Sequence, residues 1–333
     1  MAERTTGRVT SADVARMAGV SRATVSYVLN DTPHQTISAA TRSRVLDAAA
    51  ALGYAPSAAA RTLRTGRSDV VLCLLPDWPI GHEVGALLGN LSTALARSGL
   101  TFVAHPGGHA DRPVAEFWKA LTPAAVLAFA DFSEDDIDAM RAAGVALVVA
   151  LLGRTRQRRR ELEVPQQLVG RLQADHLVAA GHTRIGYAYP DDDRVRIFAE
   201  PRLHGVRAAC AEAGVTAPDV RTVPLEAVAA ADAVAGWLAS GVTAVCGYND
   251  EVAMAVLAGV RRSGRSCPAD LAVIGVDDIP VAGLADPALT TVTTDQAAVA
   301  AHLAETVVAA IRGRPEPVAS VADVVQVVRR ASV

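Results

Sequence analysis

Two eight-residue stretches near the amino terminus, Ser11–Ala18 and Arg22–Leu29, stand three residues apart around Gly19, a spacing that leaves this part of the chain few ways to fold. In the first, Ser11 is a candidate N-cap, Asp13 favours the first turn, and Val14, Met17 and Ala18 share one helical face. Gly19 and Val20 supply a turn, and Ser21 caps a second helix whose inner face is Val25, Val28 and Leu29. A third helix fits Thr41–Leu52, with Val45, Leu46, Ala49 and Leu52 inward and Gly53 as its stop. Three such helices share one small core. What stays outward on the second is Arg22, Ala23, Thr24, Ser26 and Tyr27, a set able to hydrogen-bond base edges and phosphates.

Charge supports that reading. Residues 1–68 hold nine arginines against four carboxylates, a net +5, while the rest of the 333-residue chain carries −8. A basic head on an acidic body describes a polyanion-binding module joined to something different, which the overall charge of −3 conceals.

After Ser68, short apolar runs alternate with helix-like stretches: Val70–Leu75, Thr101–Ala104, Ala124–Phe129, Ala146–Leu151, Ile185–Tyr189, Ala244–Gly247 and Leu271–Val276. Strands alternating with helices imply parallel α/β sheets. Seven or more strands divided by a basic loop near Arg154 point to two Rossmann-like subdomains with a cleft between them, where strand ends collect ligands. A helix is predicted over Asp295–Ile311, with Val299, Leu303, Val307 and Ile311 on one stripe. The stripe Val84, Leu87, Leu88, Leu91 and Leu95 fits either the sheet or a subunit interface. The four cysteines lie far apart with no C-x-x-C pair, so they are read as buried apolar residues.

The run VTSADVARMAGVSRATVSYVLND, followed by TRSRVLDAAAALGYAPSAAARTL, closely resembles the headpiece of the LacI/GalR family of bacterial repressors. GHTRIGYAYP, PRLHGVRAACAEAG, YNDEVAMAVLAGVRRSG and LAVIGVDDIPVAGLADPALTTVTTD resemble that family's core, which is related to periplasmic sugar-binding proteins. The resemblance implies an all-α helix-turn-helix headpiece joined to an α/β core of two parallel-sheet subdomains of the periplasmic-binding-protein-like type I fold. Its expected divisions are a DNA-binding domain over 1–55 and a hinge helix with linker over 56–68. The amino-terminal core subdomain takes 69–165 plus 292–321, and the carboxy-terminal one 166–291 plus 322–333.

By the same resemblance, Arg22 and Ala23 occupy the positions that choose operator bases, and Thr24 and Ser26 those that hold phosphates and a base edge. Further DNA contacts are implied for Thr10, Ser11, Ser21, Asn30, Ser57 and Ala60, and Leu63 matches the leucine that the hinge helix inserts into a minor-groove step. Tyr27 stands where relatives commonly carry arginine, which implies a different half-site preference. Effector contacts carry over to Arg202, Asn249 and Asp277. The first subdomain departs from the family pattern. Pro76–His82 replaces an Asn-Pro-Phe-Phe-like stretch and makes Asp77 and Trp78 candidates for effector contact, with simple packing the equal alternative for Trp78, and Val164-Pro-Gln-Gln167 removes an expected polar contact. Phe198 lies at a commonly polar position.

The expected protein is therefore a homodimeric regulator, a repressor by resemblance. Its partners are double-stranded operator DNA and a small-molecule effector, a sugar, nucleoside or other metabolite, and it needs no cofactor. No apolar run approaches the ~18 residues of a membrane span and no signal peptide is legible, so a cytosolic, nucleoid-associated protein is expected. A periplasmic solute receptor has no use for a basic helix-turn-helix. A Rossmann enzyme is disfavoured because no strand is followed by G-x-G-x-x-G and the histidines show no metal or nucleophile spacing.

Overall fold

The computed structural model describes residues 9–29, 36–54, 68–105, 114–129, 132–149, 166–315, 317 and 324–333. Asn30, Ser57, Ala60, Leu63 and the Arg154 cluster lie outside the described residues. The chain divides into two compact units, residues 1–68 and 69–333.

In the first unit, α1 (Ser11–Ala18), α2 (Arg22–Leu29) and α3 (Ala39–Ala51) enclose a core of Val14, Ala15, Ala18, Val25, Val28, Val45, Ala48 and Ala49. Thr10, not Ser11, is the N-cap of α1: its backbone N–H and hydroxyl both donate to Asp13 Oδ2, at 3.0 and 2.7 Å. Those bonds and nearby Arg16 hold the Asp13 carboxyl below its usual range. Gly19, at φ 66°, turns the chain into α2. There Ser21 caps as expected, its Oγ accepting the Thr24 N–H at 3.0 Å. Helix α3 starts at Ala39 rather than Thr41 because Ser38 caps it, accepting the Thr41 N–H at 3.2 Å. Two inward assignments fail. Met17 is 56% and Leu46 48% exposed. Each sits roughly 100° around its helix from the centre of the buried face, and a core this small covers only a narrow arc.

The second unit holds two sheets. β1 (Val70–Leu74), β2 (Thr101–His105), β3 (Ala125–Ala128) and β4 (Ala146–Val149) form a parallel sheet in the order β2-β1-β3-β4. One face packs on α4 (His82–Arg97) and α11 (Gln296–Ile311), through Leu91 and Leu95 against Val299, Leu303 and Val307. The stripe left open by the sequence is thus core at its carboxy-terminal half. The other face packs on α5 (Val114–Leu121) and α6 (Glu134–Ala142), around Trp118 and Met140.

The second sheet has the order β10-β9-β8-β7-β5-β6. Its strands are β5 (Ile185–Pro190), β6 (Asp219–Val223), β7 (Ala244–Gly247), β8 (Ala272–Val276), β9 (Thr290–Thr294) and β10 (Val325–Val328), parallel except for β10. Helices α9 (Ala227–Ala239) and α10 (Asp250–Arg262) cover one face, and α7 (Gln166–Ala179) and α8 (Arg196–Glu212) the other. All seven expected strands are present, and β6, β9 and β10 are additions. β9 runs unbroken to Thr294 within this sheet, so a division at 291/292 cuts a strand and the chain crosses to the other subdomain at Asp295.

Three cysteines are buried and free; Cys267 is half-buried, its thiol 3.4 Å from the Ser332 carbonyl. No helix among the described residues is long and apolar enough to cross a membrane.

Candidate functional site

Helix α2 presents Arg22 and Ala23 fully to solvent and Tyr27 at 37% exposure, while Thr24 and Ser26 are half-buried at its edge. The inward Val25 and Val28 fix that orientation. The hydroxyls of Ser21 and Thr24 bond each other at 2.9 Å, so part of the expected DNA-contacting set is engaged in capping.

The second unit carries a cleft of about 550 Å³ between its two sheets, at the carboxyl ends of their strands. All six residues expected at a ligand site lie in or beside it: Trp78, Phe198, Arg202, Asn249 and Asp277 line it, and Asp77 reaches across it to Arg194 at 3.9 Å.

Arg202 is the centre of the second subdomain's wall. It is only 7% exposed. Its Nε donates to Gln166 Oε1 at 2.8 Å and one terminal nitrogen to the Tyr248 carbonyl at 2.7 Å; the other lies 3.7 Å from Asp277 Oδ1. Its guanidinium also stands over the Tyr248 ring, 4.9 Å from the centroid. Asp277 follows β8 with φ 107°, and Asp278 with φ 52°, a strained pair for side chains with a Cβ. Arg330 holds that turn by donating to Asp278 at 2.6 Å. Burial pushes the Asp277 carboxyl up to about 7 against the pull of Arg202. Beneath it, buried Asp250 accepts from Thr291 Oγ1 at 2.6 Å and the Ile279 N–H at 2.9 Å, and burial lifts its carboxyl to about 7 as well.

The scaffold behind these groups is tight. Buried Gln173 donates from Nε2 to the carbonyls of Gly247 at 2.8 Å and Gly275 at 3.1 Å, tying together the ends of the strands that deliver Asn249 and Asp277. Helices α7 and α8 meet backbone to backbone: a Cβ on Gly170 would fall 1.9 Å from the Arg202 carbonyl oxygen, and one on Gly205 1.9 Å from that of Gln167. Asn249 caps α10, its Oδ1 accepting the Val252 N–H at 3.0 Å, so the expected effector contact has a structural duty on one of its two polar atoms.

The first subdomain's wall is mainly apolar. Trp78 lies edge-on between Phe129 of its own subdomain, centroids 5.6 Å apart, and Phe198 of the other, 5.0 Å away. Four of the polar lining residues that went unassigned in the sequence stand out. Glu83, in the first turn of α4, accepts from Gln296 Nε2, and burial raises its carboxyl above the usual range. Arg194 pairs with Asp192 at 2.7 Å. Gln166 supplies a polar group where the Val164-Pro-Gln-Gln167 stretch was read as removing one. The fourth, Glu251, lines the cleft from the first turn of α10. Gln166 and Glu251 stand in stretches the sequence singles out, and Arg194 pairs two residues along the chain, whereas Glu83 meets Gln296 only through the fold.

Residues 10–57 match the model for bacterial regulatory proteins of the lacI family, and residues 174–333 that for a periplasmic binding protein-like domain. The transcriptional regulator MalR of Streptomyces coelicolor is 30% identical over 92% of this chain and 91% of its own length. GalR of Escherichia coli is 31% identical over 92% and 90%. The chain belongs to the LacI/GalR family. Among solved structures, a complex of the regulator CelR with cellobiose is 27% identical, with a TM-score of 0.67 over 98% of this chain and all of that one. The lac repressor dimer bound to operator and an anti-inducer has a TM-score of 0.79 at 23% identity over 98% and 99%, a likeness of fold. This LacI-family chain is a DNA-binding transcriptional regulator, with a helical headpiece followed by two parallel-sheet subdomains, and its relatives are regulators rather than enzymes.

Proposed function

We propose that this regulator binds a near-palindromic operator as a homodimer and represses transcription, with a small molecule in the cleft setting its affinity for DNA. The observation that carries this reading is the solvent-facing row Arg22, Ala23 and Tyr27 on a helix anchored by Val25 and Val28, in a chain that also owns a cleft between two subdomains. A two-fold partner places two such helices on half-sites about one DNA turn apart. The loop after β8 supports a partner surface, since it exposes Val281 and, at 82%, Leu284. A ligand touching Trp78 on one wall and Asp277 on the other favours one angle between the subdomains, which couples its binding to that of DNA. Cytoplasmic residence follows from this function.

The test is selection of bound sequences from random DNA with the full chain, repeated with candidate metabolites present. A two-fold-symmetric consensus, steep loss of binding with salt and release or tightening by one metabolite are expected. An Asp277→Ala variant keeps the operator and loses the response. Binding without sequence preference, or a metabolite response untouched in Asp277→Ala, overturns the proposal.

A further inference from the structure

Resting on the reading of the cleft as the effector site, we infer that its ligand is a cation carrying a flat apolar ring, bound in preference to anions. Five carboxylates line the cleft: Glu83, Asp191, Asp192, Glu251 and Asp277. They face two arginines, and both are occupied. Arg202 is held by Gln166, the Tyr248 carbonyl and Asp277, and Arg194 by Asp192 and Asp77. His82 is the remaining basic group of the lining among the described residues. An anion would have to displace a protein carboxylate from an arginine to gain a partner.

Helix amino termini provide the other usual seat for an anion, and two of those at the cleft are already answered. Helix α4 enters the cleft with Glu83 in its first turn. Helix α10 enters with its cap taken by Asn249 and with Asp250 and Glu251 behind it. Both positive ends therefore meet carboxylates of their own chain.

Among the described lining residues, carboxylates outnumber cations. Glu83 and Asp277 come from opposite subdomains, each is lifted by burial, and the charge of Glu83 raises Asp277 further. An ammonium between them relieves both by charge-assisted hydrogen bonds. The same cleft is lined by Trp78, Phe129 and Phe198, whose ring faces attract a cation and whose edges pack on a planar apolar group. Arg202 over the Tyr248 ring is an internal instance of the same pairing.

Benzylamine, benzyl alcohol and benzoate share a ring and differ in charge. The experiment is calorimetric titration of each into the full chain without DNA, repeated with Phe198→Ala and with a Glu83→Gln, Asp277→Asn double variant. Benzylamine is expected to bind about tenfold tighter than benzyl alcohol, with benzoate silent. Phe198→Ala weakens every binding probe, and the double variant abolishes the advantage of the amine. Benzoate binding as tightly as benzylamine overturns the inference, as does an amine preference that survives the double variant. Silence from all three at millimolar concentration, where fragments of this size are expected to register, overturns it too. The cleft's role as effector site is judged separately, by the metabolite response of operator binding.

Discussion

The two walls of the cleft are built on opposite plans. On the second subdomain, Arg202, Asp277 and Asn249 are locked by hydrogen bonds to Gln166, the Tyr248 carbonyl and the α10 backbone, over helices that touch at Gly170 and Gly205. On the first, Trp78 leans on other rings from an extended loop, and the wall's polar link to the far side is the exposed Asp77–Arg194 pair at 3.9 Å. A preorganised polar wall tells ligands apart through directed bonds. An apolar wall selects by shape and moves at little cost. The difference assigns orientation of the ligand to one subdomain and closure upon it to the other.

The strongest way to break the contrast is Gly170→Ala. Its methyl group meets the Arg202 backbone, so urea denaturation should show a loss of about 3 kcal/mol, and the Arg202 cluster should lose its geometry. Close behind, Arg202→Ala leaves half-buried Asp277 without its cation and the Tyr248 carbonyl without that donor, for a cost of about 3 kcal/mol in the same assay. Third comes pH. The Asp277 carboxyl is raised by burial from 3.8 to about 7, so its share of stability is complete below about pH 4 and is lost as pH rises through 7. Asp277→Asn should flatten that decline by roughly 2 kcal/mol, partial access of water allowed for, in denaturation curves at pH 5 and pH 8. On the apolar wall the effects shrink. Trp78→Ala removes two ring contacts for about 1 kcal/mol, and its larger consequence should be weaker ligand binding by titration. Asp77→Ala breaks an ion pair between exposed groups and should change stability by less than about 0.5 kcal/mol in thermal melts. If Trp78→Ala proved as damaging as Gly170→Ala, the division of labour between the walls would fail.

The sequence carries the polar wall better than the apolar one, for a physical reason. Strand ends and helix starts leave local marks, and Asn249 and Asp277 follow short buried runs that alternate with helices, while their assignment to the cleft came from the family resemblance of the stretches that hold them. β6 and β9 carry no such mark: Asp-Val-Arg-Thr-Val has too few apolar residues, and Thr-Thr-Val-Thr-Thr buries two threonines where apolar side chains are usual. Thr290 and Thr291 can be buried because Arg330 N–H and Asp250 bond their hydroxyls, partners that are remote in sequence. Glu83 is silent for the same cause. Its neighbour Gln296 is 213 positions away. In the headpiece, periodicity finds the helices but overfills their core, because Met17 and Leu46 fall on flanks that three short helices cannot cover.

The late return of the chain to the second sheet bears on how such a protein is made. β9 is left with an open edge while α11 is laid down against the other subdomain, and β10 closes that edge only after it. Ser332 then completes the seam, accepting the Thr290 N–H at 2.8 Å and donating to the Val273 carbonyl at 2.6 Å. On the ribosome, the headpiece emerges and can fold long before this seam is made, whereas the lobe that carries Arg202 and Asp277 waits for β10 and Ser332 to be made. For that interval the nascent chain has a reader of DNA and an unfinished sensor, and an edge strand open to the wrong neighbour.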